Sequence, residues 1–233
     1  GAMGELIRQS EKPVIVIDHH ANAEELGTAI FKDPTAEATG RLIVDIAEYL
    51  QVAITKEMAM PLFAAMATDT GWYRFPSATG GTYRVAAKLV DAGAEPSAIF
   101  RQLYEQDSIA RVKLRGIALS RVMTEQDGRF AHTYIRSADF QQTGAFPGDT
   151  EDFINMALAV SGTEAAVIVI ERSEGNVKAS FRSRQGLDCS RIAARFGGGG
   201  HKAAAGATLD GPFERAQREV LDAVRTELNS TSD

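Results

Sequence analysis

The run Val14-Ile15-Val16-Ile17 is preceded by Pro13 and closed by Asp18-His19-His20, and it constrains the fold more than any other feature. Being β-branched throughout, it reads as a short, fully buried strand. Polar groups just past a strand's carboxyl end are where open α/β sheets build their sites. One carboxylate and two imidazoles are therefore expected at a sheet end. Near the other terminus stands Gly197-Gly198-Gly199-Gly200-His201. Four consecutive glycines are costly in entropy, and the run is expected to be flexible, letting backbone N–H groups approach a phosphate. The two motifs together point to metal and phosphate chemistry on two lobes.

The 233 residues suffice for one large domain or two small ones. A net charge of −6 argues against a salt-driven grip on long nucleic acid, which needs a basic footprint. A small phosphorylated substrate held by a few local Arg and His residues is compatible with it. The single cysteine, Cys189, rules out an internal disulfide and fits a reducing compartment. No apolar run approaches the roughly 18 residues of a membrane span, and no signal peptide is visible. A cytoplasmic protein without membrane partners is expected. Gly1-Ala2-Met3 reads as a protease-cleavage remnant and is set apart from the fold.

Leu42, Ile43, Ile46, Ala47 and Leu50 fall at helical spacing, so a helix is expected over 36–50 with Thr35 as N-cap. Further helices are expected over 56–68, 79–92, 96–104 and 109–122. Pro61 implies a kink or a helix start within the second of these. Met58, Met60 and Met66 read as core filler. From about residue 123 the texture changes: strands are expected over 122–126, 129–135, 165–171 and 177–181, and helices over 150–160, 188–196 and 213–228. Asp127-Gly128 reads as a hairpin turn, and Glu174-Gly175-Asn176 as another. The tail 229–233 is expected to fray. The fold class is α/β: a helical lobe with one parallel-sheet strand over 4–122, its last helix a connector, then a smaller α+β lobe over 123–229.

Asp18, His19 and His20 form a ligand set for borderline divalent metals such as Mn²⁺ or Zn²⁺, against the bland alternative of satisfied structural histidines. Asp69, in Thr68-Asp69-Thr70-Gly71, sits at a helix C-terminus, where a carboxylate opposes the dipole and wants a cation; a turn aspartate is the alternative. Trp72, Tyr73 and Phe75 read as packing, with an aromatic edge for a base left open. Arg182 and Arg184 around Ser183 could clamp a phosphate or be a solvated strand end. Lys202 reads as a second phosphate contact or as surface.

Residues 14–20, 67–75 and 197–206 (GGGGHKAAAG) resemble the motifs of the DHH–DHHA1 phosphoesterases, closest to the nanoRNase branch of bifunctional oligoribonuclease/3′-phosphoadenosine-5′-phosphate phosphatases, with RecJ more distant. The resemblance covers nearly the whole chain after residue 13. It implies a DHH-type lobe followed by a DHHA1 substrate-binding lobe, and Mn²⁺-dependent phosphoester hydrolysis at a dinuclear site between them. By this resemblance His19 and Asp69 are metal ligands. His20 meets the scissile phosphate or attacking water, and Asp18 supports it. Arg182, Ser183, Gly199, Gly200 and His201 hold the substrate's terminal phosphate and base. The implied partner is a short single-stranded oligonucleotide or a small phosphorylated nucleotide, and the family often forms homodimers.

The family's two earlier ligand motifs have no counterpart before Asp18, so the chain is expected to be N-terminally truncated. Its parallel sheet is then incomplete, with an exposed edge, and it holds one metal or none of the expected two. Ala23 stands where relatives often place Asn. The alternatives are a catalytically incomplete nucleotide-binding module and a partner that completes its sheet with another polypeptide.

Overall fold

The computed structural model describes residues 2–9, 12–20, 29–172, 175–184 and 186–230. Contacts divide the chain into two units, Gly1–Gln106 and Asp107–Asp233. Among the described residues no helix is long and apolar enough to cross a membrane.

The first unit runs α1 (Ala2–Arg8), β1 (Ile15–Asp18), β2 (Ala29–Lys32), α2 (Thr39–Tyr49), α3 (Lys56–Asp69), α4 (Gly80–Asp91) and α5 (Pro96–Tyr104). Strands β1 and β2 pair in parallel, Ile15 with Ala29 through Asp18 with Lys32. Strand β2 lies beyond the single strand expected, and β1 is not fully buried: Ile15 is 70% exposed, and Ile30 and Phe31 are exposed as well. The core is helical. Leu42, Val44 and Ala47 of α2 are buried, as are Leu62, Phe63 and Met66 of α3. The two helices approach closely because Gly40 lacks a side chain; a Cβ there would stand 3.0 Å from Ala65 Cβ. Helix α3 runs through Pro61. Helix α4 starts at a reciprocal cap, with Thr79 Oγ1 accepting from Gly81 and Thr82 N–H, and Thr79 N–H donating to Thr82 Oγ1. Thr35 does not cap α2; Ala38 holds that position. The Thr35 hydroxyl and amide both donate to Asp33 Oδ1, a tight local turn that uses the side chain before the helix begins.

The second unit contains α6 (Ile109–Ser120), β3 (Met123–Glu125), β4 (Phe130–Ile135), α7 (Ser137–Thr143), a 3₁₀ turn (Pro147–Thr150), α8 (Phe153–Leu158), β5 (Ala165–Glu171), β6 (Asn176–Ser183), α9 (Cys189–Ala194), β7 (Gly199–His201), β8 (Ala204–Asp210) and α10 (Phe213–Ser230). Its sheet has the order β3-β4-β5-β6-β8-β7. The β4–β5 pair is parallel and the others antiparallel. On one face Val167, Val169, Ala179, Phe181, Ala207 and Leu209 pack with Ile192 of α9 and Val220 and Val224 of α10. On the other, Ala131, Ile135, Ala166 and Ile168 pack with Leu114 of α6 and Phe153 of α8. Helix α6 thus belongs to the second unit and is not a connector of the first. With it, the second unit is the larger.

The expected helix over 150–160 begins later, because Asp152 takes a left-handed φ of 67° and separates the 3₁₀ turn from α8. The β3–β4 hairpin forms with Gln126 and Asp127 as its left-handed central residues, one step before the expected pair. Asn229 and Ser230 continue α10; residues 231–233, Asn22, Ala23 and Glu174 lie outside the described residues.

Candidate functional site

Strand β1 ends on Asp18, and the chain turns at once. Asp18 Oδ1 accepts from the His20 backbone N–H (2.9 Å) and from His20 Nδ1 (2.7 Å). These hydrogen bonds, the backbone one foremost, hold the Asp18 carboxyl below its usual range. A carboxylate only accepts, so His20 carries a proton on Nδ1, and in its neutral form Nε2 is the nitrogen left to accept; its side chain is 72% exposed. His19 lies the other way. Its Nδ1 stands 3.2 Å from the Ala36 carbonyl, which can only accept, so Nδ1 holds the proton and Nε2 presents a lone pair. That Nε2 lies 3.5 Å from Asp69 Oδ2.

Two acceptors facing each other at this distance are unfavourable without a positive charge, which either a proton or a cation can supply. A histidine whose second ring nitrogen is tied to a backbone carbonyl is the arrangement metal-binding imidazoles use. The donor pair therefore fits a divalent metal. Among the described residues no group of three potential metal ligands forms, and Asp18 is engaged with His20.

Asp69 closes α3, and the turn after it is unusual: Gly71, Trp72 and Tyr73 all have positive φ. Left-handed geometry costs about 1–2 kcal/mol at each non-glycine residue. Packing offsets it. Trp72 meets Phe100 and Tyr104 edge-on at 4.9 and 5.7 Å between ring centroids, and Tyr73 stacks near Phe63 and Tyr83. Tyr83 Oη also donates to the Tyr73 carbonyl at 2.8 Å. The aromatic residues thus anchor the turn that sets Asp69 in place. Among the described residues the buried Tyr73 hydroxyl has no hydrogen-bond partner, and burial pushes its pKa well up.

The second candidate surface is built by register. Along β6, Val177, Ala179 and Phe181 are buried toward α9 and α10, so Lys178, Ser180 and Arg182 share the opposite face. Arg182 pairs with Ala204, which pairs with His201; Ser180 pairs with Gly206, which pairs with Gly199. Arg182 and His201 therefore flank a floor of Ala204 and Gly206. A cavity of about 280 Å³ holds Arg182, Ser180 and Lys178 with Glu151 and Asp152.

The glycine run divides here: Gly197 lies in the turn after α9 with a left-handed φ of 70°, Gly198 leads into the strand, and Gly199 and Gly200 belong to the edge strand β7. A Cβ at Gly198 would stand 2.3 Å from the Gly206 carbonyl, and one at Gly200 would stand 2.6 Å from that of Ala204. These glycines let the edge strand lie close on β8. Gly199 has open space.

Register separates the expected site residues: Arg182, Gly199 and His201 share a face, whereas Ser183 and Gly200 alternate to the other. The Ser183 hydroxyl donates to the Leu187 carbonyl at 2.8 Å, which ties down the loop before α9. Arg184 donates to the Leu158 carbonyl, and the Lys202 carbonyl accepts from Cys189 N–H. Motif reading does not find Lys178 and Ser180, although the period-two pattern of residues 176–183 already places them beside Arg182.

Residues 127–230 match the DHHA1 domain. The chain is 36% identical over 216 residues to the bifunctional oligoribonuclease and PAP phosphatase NrnA of Thermus thermophilus, spanning 92% of this chain and 64% of that protein. To the protein of the same name from Bacillus subtilis it is 27% identical, spanning 88% and 65%. It thus spans less than two thirds of these relatives. Among solved structures, an exopolyphosphatase-related protein from Bacteroides fragilis superposes with a TM-score of 0.91 at 26% identity, covering 100% of this chain and 69% of that one. A pGpG-specific phosphodiesterase, PggH, from Vibrio shares the fold at a TM-score of 0.51, with 16% identity over 93% of this chain and 80% of that one. With the Asp-His-His strand end, the Thr-Asp-Thr-Gly helix end and the glycine hairpin in this order, the chain is similar to the DHH–DHHA1 nanoRNase-like proteins, and its residues 127–230 carry their DHHA1 domain.

Proposed function

We propose that this chain works in a cytoplasmic, manganese-dependent phosphodiesterase and phosphatase that hydrolyses short single-stranded oligonucleotides or 3′-phosphoadenosine 5′-phosphate. The observation that carries the proposal is the face-to-face pair of His19 Nε2 and Asp69 Oδ2, with the imidazole locked by the Ala36 carbonyl. His19 and Asp69 would hold one ion. When bound, such a metal activates water and neutralises charge on phosphoryl oxygens. His20, its Nδ1 proton fixed on Asp18, can accept a proton at Nε2 or contact the scissile phosphate. Arg182 and His201, across the Ala204 floor, would hold the substrate's terminal phosphate, and the open Gly199 would admit its close approach. A substrate gripped by its end suits a chain of net charge −6.

The absence of a three-ligand group among the described residues favours a second reading, a nucleotide-binding module without turnover in this chain. One experiment separates them: Mn²⁺-dependent release of mononucleotides from a labelled short oligoribonucleotide, with His19→Ala alongside. Release that is lost in the variant supports the enzyme. Tight, metal-independent adenylate binding by calorimetry, with no release from either protein, supports the module.

A further inference from the structure

Two buried polar groups of the first unit have no part in the proposed chemistry. Glu37 stands just before the N-cap of α2, and its side chain is only 8% exposed. Among the described residues its buried Oε1 has no hydrogen-bond partner. Arg41 Nη1 lies 3.7 Å away, beyond hydrogen-bond range, and Arg41 Nε is committed to Asp45 at 2.9 and 3.0 Å. The Tyr73 hydroxyl is the second such group. Buried polar atoms of this kind are costly unless they meet a complementary one.

The two groups are neighbours. Tyr73 packs against the core that contains Ala38, the residue after Glu37. Burial first, and the charge of Glu37 next, push the Tyr73 pKa up, so the carboxylate is within electrostatic reach of the hydroxyl. They are complementary as well, since a phenol donates and a carboxylate accepts.

Each is also tied to one half of the His19–Asp69 pair. The Ala36 carbonyl that locks His19 Nδ1 shares a rigid peptide plane with the Glu37 N–H, so fixing Glu37 fixes the direction of that carbonyl. Tyr73 N–H donates to Thr70 Oγ1 at 3.0 Å, and the buried Thr70 follows Asp69 directly. Glu37 is not itself a third ligand, because among the described residues no group of three potential metal ligands forms.

We propose that Glu37 and Tyr73 are a pair of positioning residues: the Tyr73 hydroxyl directs its proton toward the Glu37 carboxylate, and the pair sets the separation of His19 Nε2 and Asp69 Oδ2 through the Ala36 peptide on one side and the Thr70 turn on the other. This rests on the reading of His19 and Asp69 as a metal pair. The opposing account is that Glu37 serves α2 alone, through the helix dipole and its pairing with Arg41 one turn on.

The test is Mn²⁺ binding to the full chain, read by the paramagnetic resonance of free Mn²⁺ well below every variant's thermal midpoint. Tyr73→Phe, which removes one oxygen, should raise the dissociation constant about five- to tenfold, near the low end of what outer partners of metal ligands cost. Glu37→Ala should do the same. The double variant should stay near about tenfold, because the second change removes nothing further, whereas independent roles would multiply to about fiftyfold. Glu37→Gln keeps an oxygen that accepts from the hydroxyl and should stay within about twofold of wild type. If Glu37→Ala does not fold, Tyr73→Phe and Glu37→Gln carry the test. Glu37→Gln weakened as much as Tyr73→Phe would show that the charge acts through Arg41, and overturns the pairing. Wild-type affinity in Tyr73→Phe overturns it too, and a higher thermal midpoint there would mark a hydroxyl that was merely unpaired. Either result leaves the metal pair standing. If the wild-type chain takes up no Mn²⁺, the metal reading fails and the positioning role with it.

Discussion

The Asp-His-His end of β1 and the glycine hairpin β7–β8 bring functional groups together by opposite means. In the first unit every group sits where regular structure stops: the end of β1, the end of α3 and a left-handed turn. In the second, groups sit where regular structure continues, and the two-residue period of paired strands sorts them by face. This contrast decides which changes each region tolerates. Side chains at element ends can be removed with little loss of packing, whereas a sheet edge built on glycine fails through its backbone.

The largest expected effect is chemical. His19→Ala and Asp69→Ala should each lower Mn²⁺-dependent turnover at least about a hundredfold, because metal-borne charge stabilisation is worth several kcal/mol. Both should weaken Mn²⁺ binding, read by the paramagnetic resonance of free Mn²⁺, and leave the thermal midpoint within a few degrees. Both residues have solvent-accessible side chains, at 19% and 42%. A large drop in stability would show that the pair is structural, and would erase the contrast with the hairpin.

The hairpin should answer the other way. Gly198→Ala and Gly200→Ala place a Cβ on the β8 backbone, and overpacking of this kind costs about 1–3 kcal/mol. Gly199→Ala meets nothing within 4 Å and should stay within about 0.5 kcal/mol. Denaturant melts of the three variants measure this. Equal effects at all three positions would mean that the run behaves as the flexible loop the sequence suggests.

That mismatch shows where legibility ends. Helices α4, α5 and α10 and strands β4 and β5 are readable because their apolar spacing is strong. Strand β8 is not: Ala204-Ala205-Gly206-Ala207 is an alternation of small residues without hydrophobic contrast, so its partner β7 looks like loop. Strand β2 escapes a sequence reading because Ala29–Lys32 is only four residues long and shows no apolar–polar alternation. For the site, Asp18, His19, His20 and Asp69 are legible as a motif, and the structure adds the Ala36 carbonyl that fixes the His19 proton. No sequence signal points to a backbone acceptor 17 residues away.

Acid should reach the second unit through one carboxylate. Arg225, foremost, and His132 hold Glu125 down at about 2, against an ordinary 4.5. A depressed carboxyl contributes stability that is fully present above its unfolded value and is lost as pH falls through the folded one. The loss should therefore fall between about pH 4.5 and 2. Discounted for solvent screening, it should be on the order of 1–2 kcal/mol. Glu125→Gln should flatten the stability–pH curve of the unit in that window. An unchanged curve would mean that the link between β3 and α10 contributes nothing.

The smallest effect tests the sorting by face itself. Arg182 and Ser183 are neighbours in sequence, yet the register gives them opposite sides of the sheet, and the Ser183 hydroxyl is already used by the Leu187 carbonyl. Removing that hydroxyl should cost about 1 kcal/mol of stability, the net worth of one hydrogen bond with its buried acceptor left unpaired. Arg182→Ala should do the reverse, weakening adenylate binding while leaving stability within about 0.5 kcal/mol, since among the described residues its guanidinium hydrogen-bonds only to the adjacent carbonyl. A calorimetric titration paired with a denaturant melt reads both quantities on each variant. If Ser183→Ala weakened binding as strongly as Arg182→Ala, the two residues would act as one clamp, and strand alternation would no longer be what divides the fold-keeping residues of β6 from those that meet the substrate.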